Sequence, residues 1–226
     1  MDSLSLLGVS NPDADYDHTH TLMPNVAKKK IIRKIKYNDI RWFEPIRLKF
    51  GFTGVPELRA RDIVRDTLKS EWPDIAHPKQ CVYVVRLSGA VAVNYKNRHS
   101  PVIYIGEGNA YERLYSHASW ISQLLMAVPN AQVDVHIAEC VRRNNTFLCE
   151  YIEADLLEWF LSDHDCLPWF NQQRETSKAG NQYDTNALSE LKKRIGLGSG
   201  NKFLWAIRPT DHNPHFPRYA AGNQDS

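Results

Sequence analysis

Side chains that could together cut a phosphodiester bond occur in order along one stretch: Tyr83, Tyr104, Arg113, His117, a group of glutamates and Asn171. Hydrolysing such a bond requires an activated water, neutralised charge on the phosphate oxygens and a stabilised leaving oxyanion. Arginine is permanently charged and forked, so Arg113 suits a phosphate clamp. His117 stands four residues further on, on the same face of a helix, and can bond the phosphate or carry a proton. A phenol, with a reference pKa of ~10, serves as a base only when nearby positive charge depresses it, which applies equally to Tyr83 and Tyr104. One carboxylate among Glu150, Glu153 and Glu158 would hold a hard divalent cation, Mg²⁺ or Mn²⁺, with waters completing its shell. Glu158 sits among Leu156, Leu157, Trp159, Phe160 and Leu161, where a carboxylate without a partner is costly. That segment is apolar on most of its circumference, so helical phase does not choose among the three. Taken singly, each residue has a plainer reading: strand tyrosines usually pack, and an arginine near a helix start usually meets solvent.

The elements that would position these groups are legible in the middle of the chain. Val82–Leu87 and Val102–Ile105 are β-rich runs, and the turn-forming residues between them predict a hairpin or meander. Asn109, three residues before Glu112, is an N-cap signature. Leu114, Ala118, Ile121 and Leu125 follow as one apolar helical stripe, which stops near Pro129-Asn130. Val133, Val135 and Ile137 alternate with Asp134 and His136, the pattern of a half-buried strand. Asn144-Asn145 can cap a second long helix, from Thr146 to about Leu161. Outside this core, 56–70 and Asn186–Ile195 read as helices and Phe203–Ile207 as a strand. Interleaved charged and apolar residues from Lys28 to Phe52 read as strand-like pieces.

Tyr104-Ile105-Gly106 reproduces the second signature of the GIY-YIG nuclease superfamily, and Cys81-Val82-Tyr83 resembles the first with its glycine replaced. Arg113, His117, the glutamate helix and Pro168-Trp169-Phe170-Asn171 follow in the order of that family, so residues 79–175 resemble its core. The resemblance implies an α+β fold: a three-stranded antiparallel sheet flanked by helices at 79–178. Around it would lie a disordered tail (1–26), a basic extension (27–78) and a C-terminal extension (179–226). It implies catalytic roles for Tyr83, Tyr104, Arg113, His117, Glu158 and Asn171, with Tyr83 as the base and Glu158 as the Mg²⁺ ligand. Asn171 would bridge phosphate and catalytic side chains or fix its loop. The implied activity is a metal-dependent DNA endonuclease, most similar to the restriction branch. Cutting both strands would call for a homodimer or a transient higher oligomer.

Bulk properties fit without selecting this reading. The 226 residues carry a net charge of only +2 and 42% hydrophobic content, as in ordinary soluble domains. Charge is unevenly placed, however: nine Lys/Arg lie between Lys28 and Lys49 against Asp39 and Glu44. Lys28, Lys29, Lys30, Arg33, Lys34, Lys36 and Arg41 are therefore candidate DNA contacts, and Trp42-Phe43 could stack bases. Cys81, Cys140, Cys149 and Cys166 form no CxxC pair, which predicts reduced thiols in a cytoplasmic protein. No stretch is apolar enough to span a bilayer. Asp163-His164-Asp165 reads as a polar turn, and Gly196–Gly200 lacks the lysine of a phosphate-binding loop. The competing readings are a non-catalytic nucleic-acid-binding module on the same fold and a nuclease for single-stranded or branched substrates.

Overall fold

The computed structural model describes residues 33–48, 57–71, 80–89, 91–95, 98–127, 132–141, 147–172, 180–196 and 203–208. In chain order these form β1 (Arg33–Ile35), a 3-10 turn (Tyr37–Asp39), β2 (Ile40–Trp42), β3 (Ile46–Leu48), α1 (Glu57–Glu71), β4 (Cys81–Ser88), β5 (Val91–Tyr95) and β6 (Arg98–Ser100). They continue as β7 (Val102–Gly108), α2 (Ala110–Ala127), β8 (Gln132–Cys140), α3 (Leu148–His164), β9 (Asn181–Tyr183), α4 (Thr185–Ile195) and β10 (Trp205–Ile207). The fold is mixed α/β, as the sequence predicts.

The central strand is β4, a β-branched run without a turn former whose residues Cys81–Leu87 are all buried. It pairs antiparallel with β7 on one side and β8 on the other, so Tyr83 lies opposite both Gly106 and Ile137. The far edge of β8 carries β2 and β3, both antiparallel, with Ile40 opposite Cys140 and Ile46 opposite Val135. Pro45, which has no N–H to offer a ladder, falls in the break between those two short strands. The sheet therefore has five strands where three were expected: β7-β4-β8, with β2 and β3 from the basic segment on the far edge of β8.

β4 and β7 are antiparallel as expected, but their connection contains a hairpin of its own. β5 pairs with β6, and β10 adds to β5 in parallel. β1 pairs in parallel with β9. The segments on either side of the core are therefore tied into it by backbone hydrogen bonds rather than appended. Residues 1–26 and Lys28, Lys29 and Lys30 lie outside the described residues.

Helix α2 starts where the pattern predicts: the Asn109 side chain accepts from the Glu112 N–H at 3.4 Å, and Leu114, Ala118 and Ile121 are buried. Helix α3 buries Leu148, Ile152, Leu156, Leu157 and Phe160 and packs on β7 and β4. It begins at Leu148 without a side-chain cap; Asn144 and Asn145 lie outside the described residues. It ends on Asp165, whose φ of 62° closes the helix in the left-handed region. Arg86, 8% exposed, donates to the carbonyls of Lys193, Arg194 and Gly196 and so caps the C-terminus of α4 from inside the sheet.

The cysteines depart from expectation. Cys140, at the end of β8, is disulfide-bonded to Cys149 in the first turn of α3, while Cys81 and Cys166 are thiols outside the bridge. Spacing rules search for pairs close in sequence with metal-ligand geometry, and they miss a bridge made by a strand end meeting the next helix.

Candidate active site

Strand register builds the first wall. Tyr83 opposite Gly106 places Tyr104, two residues earlier on β7, diagonally beside Tyr83 on the same sheet face. The two rings stack with centroids 5.9 Å apart. Gly106 is what permits this: a Cβ there would lie 2.6 Å from both the Tyr83 hydroxyl oxygen and Tyr104 Cε1. Gly108 then takes φ +106°, a conformation that suits glycine, and turns the chain from β7 into α2.

That turn brings the first half of α2 over the tyrosines. Arg113, His117 and Trp120 recur at i, i+4 and i+7, the spacing of one helix face, and all three line a cavity of about 550 Å³ together with Tyr104. His117 Nε2 is 3.4 Å from the Tyr83 hydroxyl, and its ring meets Tyr104 edge-on at 4.6 Å. Helix α3 supplies Glu153 and Leu157, and the segment after it supplies Phe170, Asn171 and Gln172. Glu107, at the end of β7, completes the lining.

Of the residues named from sequence, Tyr104, Arg113, His117 and Asn171 line the cavity, and Tyr83 lies completely buried against Tyr104. Glu158 does not join them: it is solvent-exposed, whereas Glu153, which the sequence left as an alternative, is half-buried and lines the cavity. Five residues of helix separate the two, about 140° of rotation, so one helix cannot present both to the same pocket. Glu150 is also exposed and absent from the lining. Asn171 fixes its loop, with both ends of its amide bonded to the Ile105 backbone. Trp120 was recoverable from its spacing to Arg113 and His117. Glu107 and Gln172 carried no local signal.

Of the candidate DNA-contacting cations, the four among the described residues, Arg33, Lys34, Lys36 and Arg41, do not line this cavity. Arg33 stacks on Tyr151, 3.9 Å from the ring centroid, and bonds its hydroxyl. Arg41 pairs with Glu139, while Lys34 and Lys36 are exposed. Trp42 lies under the Arg194 guanidinium at 4.6 Å, half-buried against the core.

Electrostatics in the pocket follow from burial and from Arg113. Burial, reinforced by the Arg113 charge, pushes the His117 pKa down to about 4, so the imidazole is neutral at pH 7. Burial raises the Tyr83 pKa, as do the neighbouring Tyr104 phenol and the hydrogen bond to it, and Arg113 opposes the shift. Tyr104 is raised by burial and by Glu153, against its hydrogen bond with Tyr83 and the charge of Arg113. Neither phenol ionises unaided near neutrality.

The donor set fits a hard divalent cation in one specific form. Among the described residues no three His, Cys, Asp or Glu side chains converge on a metal position. Glu153 in the lining offers a carboxylate oxygen, the ligand type that Mg²⁺ favours with waters completing its shell. Comparison with known proteins adds nothing to this geometry: no family model, curated protein or solved structure matches the chain.

Proposed function

We propose that this protein is a divalent-metal-dependent endonuclease that hydrolyses phosphodiester bonds in DNA. One observation carries the reading: Tyr104, Arg113, His117 and Glu153, contributed by β7, α2 and α3, line one cavity, with Tyr83 hydrogen-bonding from behind. The order of these residues, and the antiparallel β7-β4-β8 sheet beneath them, agree with the resemblance to GIY-YIG nucleases.

In this reading Arg113, exposed at the cavity wall, binds the phosphate oxygens through its forked N–H groups. His117, neutral because it is buried beside Arg113, can accept a proton from the attacking water and hold it on the imidazole, while the Tyr83 hydroxyl, 3.4 Å from Nε2, helps to fix the ring. Tyr104 reaches the substrate where Tyr83 does not, since Tyr83 is fully enclosed. Mg²⁺ held by Glu153 would supply charge neutralisation at the phosphate. Leu157, Trp120 and Phe170 form the apolar part of a lining that is otherwise polar.

Supercoiled plasmid, incubated with the protein and Mg²⁺ or Mn²⁺ and separately with chelator, tests the proposal. Cutting is expected only with metal. Glu153→Gln is expected to lower it at least about 100-fold while DNA binding persists, and Glu158→Gln to cut as the parent does. Retarded but intact DNA in every metal condition would overturn catalysis in favour of a binding module.

A further inference from the structure

Three aromatic rings lead out of the cavity. Trp120, in its wall, stacks on Phe170 with centroids 4.0 Å apart and planes 21° from parallel. Phe170 in turn stacks on Trp169 at 4.9 Å and again 21°. The inner ring neighbours the phosphate-binding groups, with Trp120 5.5 Å from His117. The outer ring, Trp169, is 39% exposed. Gln172, also exposed, lines the mouth beside Phe170 and carries an amide able to both donate and accept.

This ladder is held in place. The Phe170 N–H bonds the Ile103 carbonyl at 3.0 Å, the Trp169 N–H bonds the Tyr95 hydroxyl at 2.9 Å, and Asn171 is fixed to Ile105 on both sides. A large indole face kept rigid and part-exposed beside a phosphate site has the form of a stacking platform, on which bases rest irrespective of sequence. A base inside an intact duplex is already stacked on its neighbours and offers no free face.

We infer that Trp169, backed by Phe170 and Trp120, receives an unpaired nucleobase of the DNA strand whose phosphate occupies the cavity, with Gln172 at the edge of that base. The inference rests on the nuclease reading for the position of the phosphate. It makes the substrate DNA carrying an unstacked base next to the cut: a bulge, a mismatch, or a base extruded from the duplex. Extrusion from paired DNA costs a few kcal/mol, and an already unpaired base avoids most of that cost.

The test is binding by the full-length protein in chelator, where no cutting occurs, to three oligonucleotides. One is a fully paired duplex, one the same duplex with a single bulged 2-aminopurine, and one the single strand containing it. The bulged duplex is expected to bind about tenfold or more tighter than the paired one, with the 2-aminopurine emission quenched on binding. Trp169→Ala should abolish both the preference and the quenching, and Trp169→Phe should restore most of each. Equal affinity for paired and bulged duplex, or a preference that survives Trp169→Ala, overturns the inference. Cutting in metal without any such preference leaves the nuclease reading intact and removes this one. Preference and quenching without cutting do the reverse.

Discussion

Asn171 holds Ile105 as a neighbouring strand would: its Oδ1 accepts from the Ile105 N–H at 2.9 Å and its Nδ2 donates to the Ile105 carbonyl at 2.7 Å. The amide thus completes the edge of β7 at the residue between Tyr104 and Gly106. It also fixes the segment bearing Trp169, Phe170 and Gln172 relative to the strand bearing Tyr104. Of the two roles that the resemblance implies for Asn171, bridging the phosphate or fixing its loop, these bonds perform the second.

Asn171→Ala leaves both Ile105 backbone groups without their partner at a buried site, at a cost of about 1–3 kcal/mol for each unsatisfied group. We expect a stability loss of about 2 kcal/mol or more in urea unfolding, together with reduced cutting. Asn171→Asp is expected to be no better at pH 7, because it sets a carboxylate oxygen against the Ile105 carbonyl. Unchanged unfolding midpoints for both variants would show that the amide clamp does not hold this segment.

Gly106→Ala tests the tyrosine pair directly. The added methyl would lie 2.6 Å from the Tyr83 hydroxyl and from Tyr104 Cε1, so at least one ring must move. Overpacking of this kind costs about 1–3 kcal/mol, and a misplacement of about 1 Å at a reacting group can cost about 100-fold in rate. The variant should fold, show altered near-ultraviolet dichroism and cut at least tenfold more slowly. Parental activity would mean that the convergence of the two hydroxyls is irrelevant to the chemistry.

The contrast between Glu153 and Glu158 locates the limit of what the sequence carries. Strands and helices were readable because Val82–Val85, the stripe from Leu114 to Ile121 and the alternation Val133–Ile137 each bury a defined face, and burial leaves a period in the sequence. Arg113 and His117 were readable for the same reason, since their spacing keeps them together whatever the helix packs against. The rotation of α3 was not readable. With apolar residues on nearly all sides, its phase is set by contact with β7 and β4, a relation between elements remote in sequence. The β5–β6 pair inserted between β4 and β7 was hidden likewise, and the strand-like pieces read between Lys28 and Phe52 did not reveal that β2 and β3 would join β8, because short strands acquire meaning only from their partners.

The Cys140–Cys149 bridge can be counted. Thiol titration of the unfolded, unreduced protein should detect two reactive cysteines, Cys81 and Cys166, and four after reduction. The bridge closes a short loop onto the first turn of α3, one turn before Glu153, so reduction removes a constraint worth about 2–3 kcal/mol. The urea midpoint should fall accordingly, with cutting more sensitive to reductant than that of a Cys140→Ser/Cys149→Ser protein, which has no bridge to lose. Four thiols in the unreduced protein would remove this element of the structure.

Acid should act on this protein through its buried histidines. His117 is held down to about pKa 4 by burial and Arg113, and His136 to about 4 by burial together with Arg86 and Arg194. In the unfolded chain both return to ordinary values near ~6.5. Between those limits the unfolded state binds more protons than the folded one, so stability rises with pH across the window. The contribution is fully present above about pH 6.5 and is lost progressively as the pH falls towards 4. Urea midpoints measured from pH 7 to 4.5 should therefore decline, and His117→Gln, which cannot titrate, should make the decline shallower. The same displacement fixes the acid limb of cutting. Since kcat/KM reports groups of the free enzyme, the limb belonging to His117 should lie near pH 4, leaving activity at pH 5.5 within about twofold of that at pH 7. A limb centred near 6.5 that disappears in His117→Gln would show an imidazole in ordinary contact with water, and the burial of His117 against Tyr104 and Trp120 would be wrong.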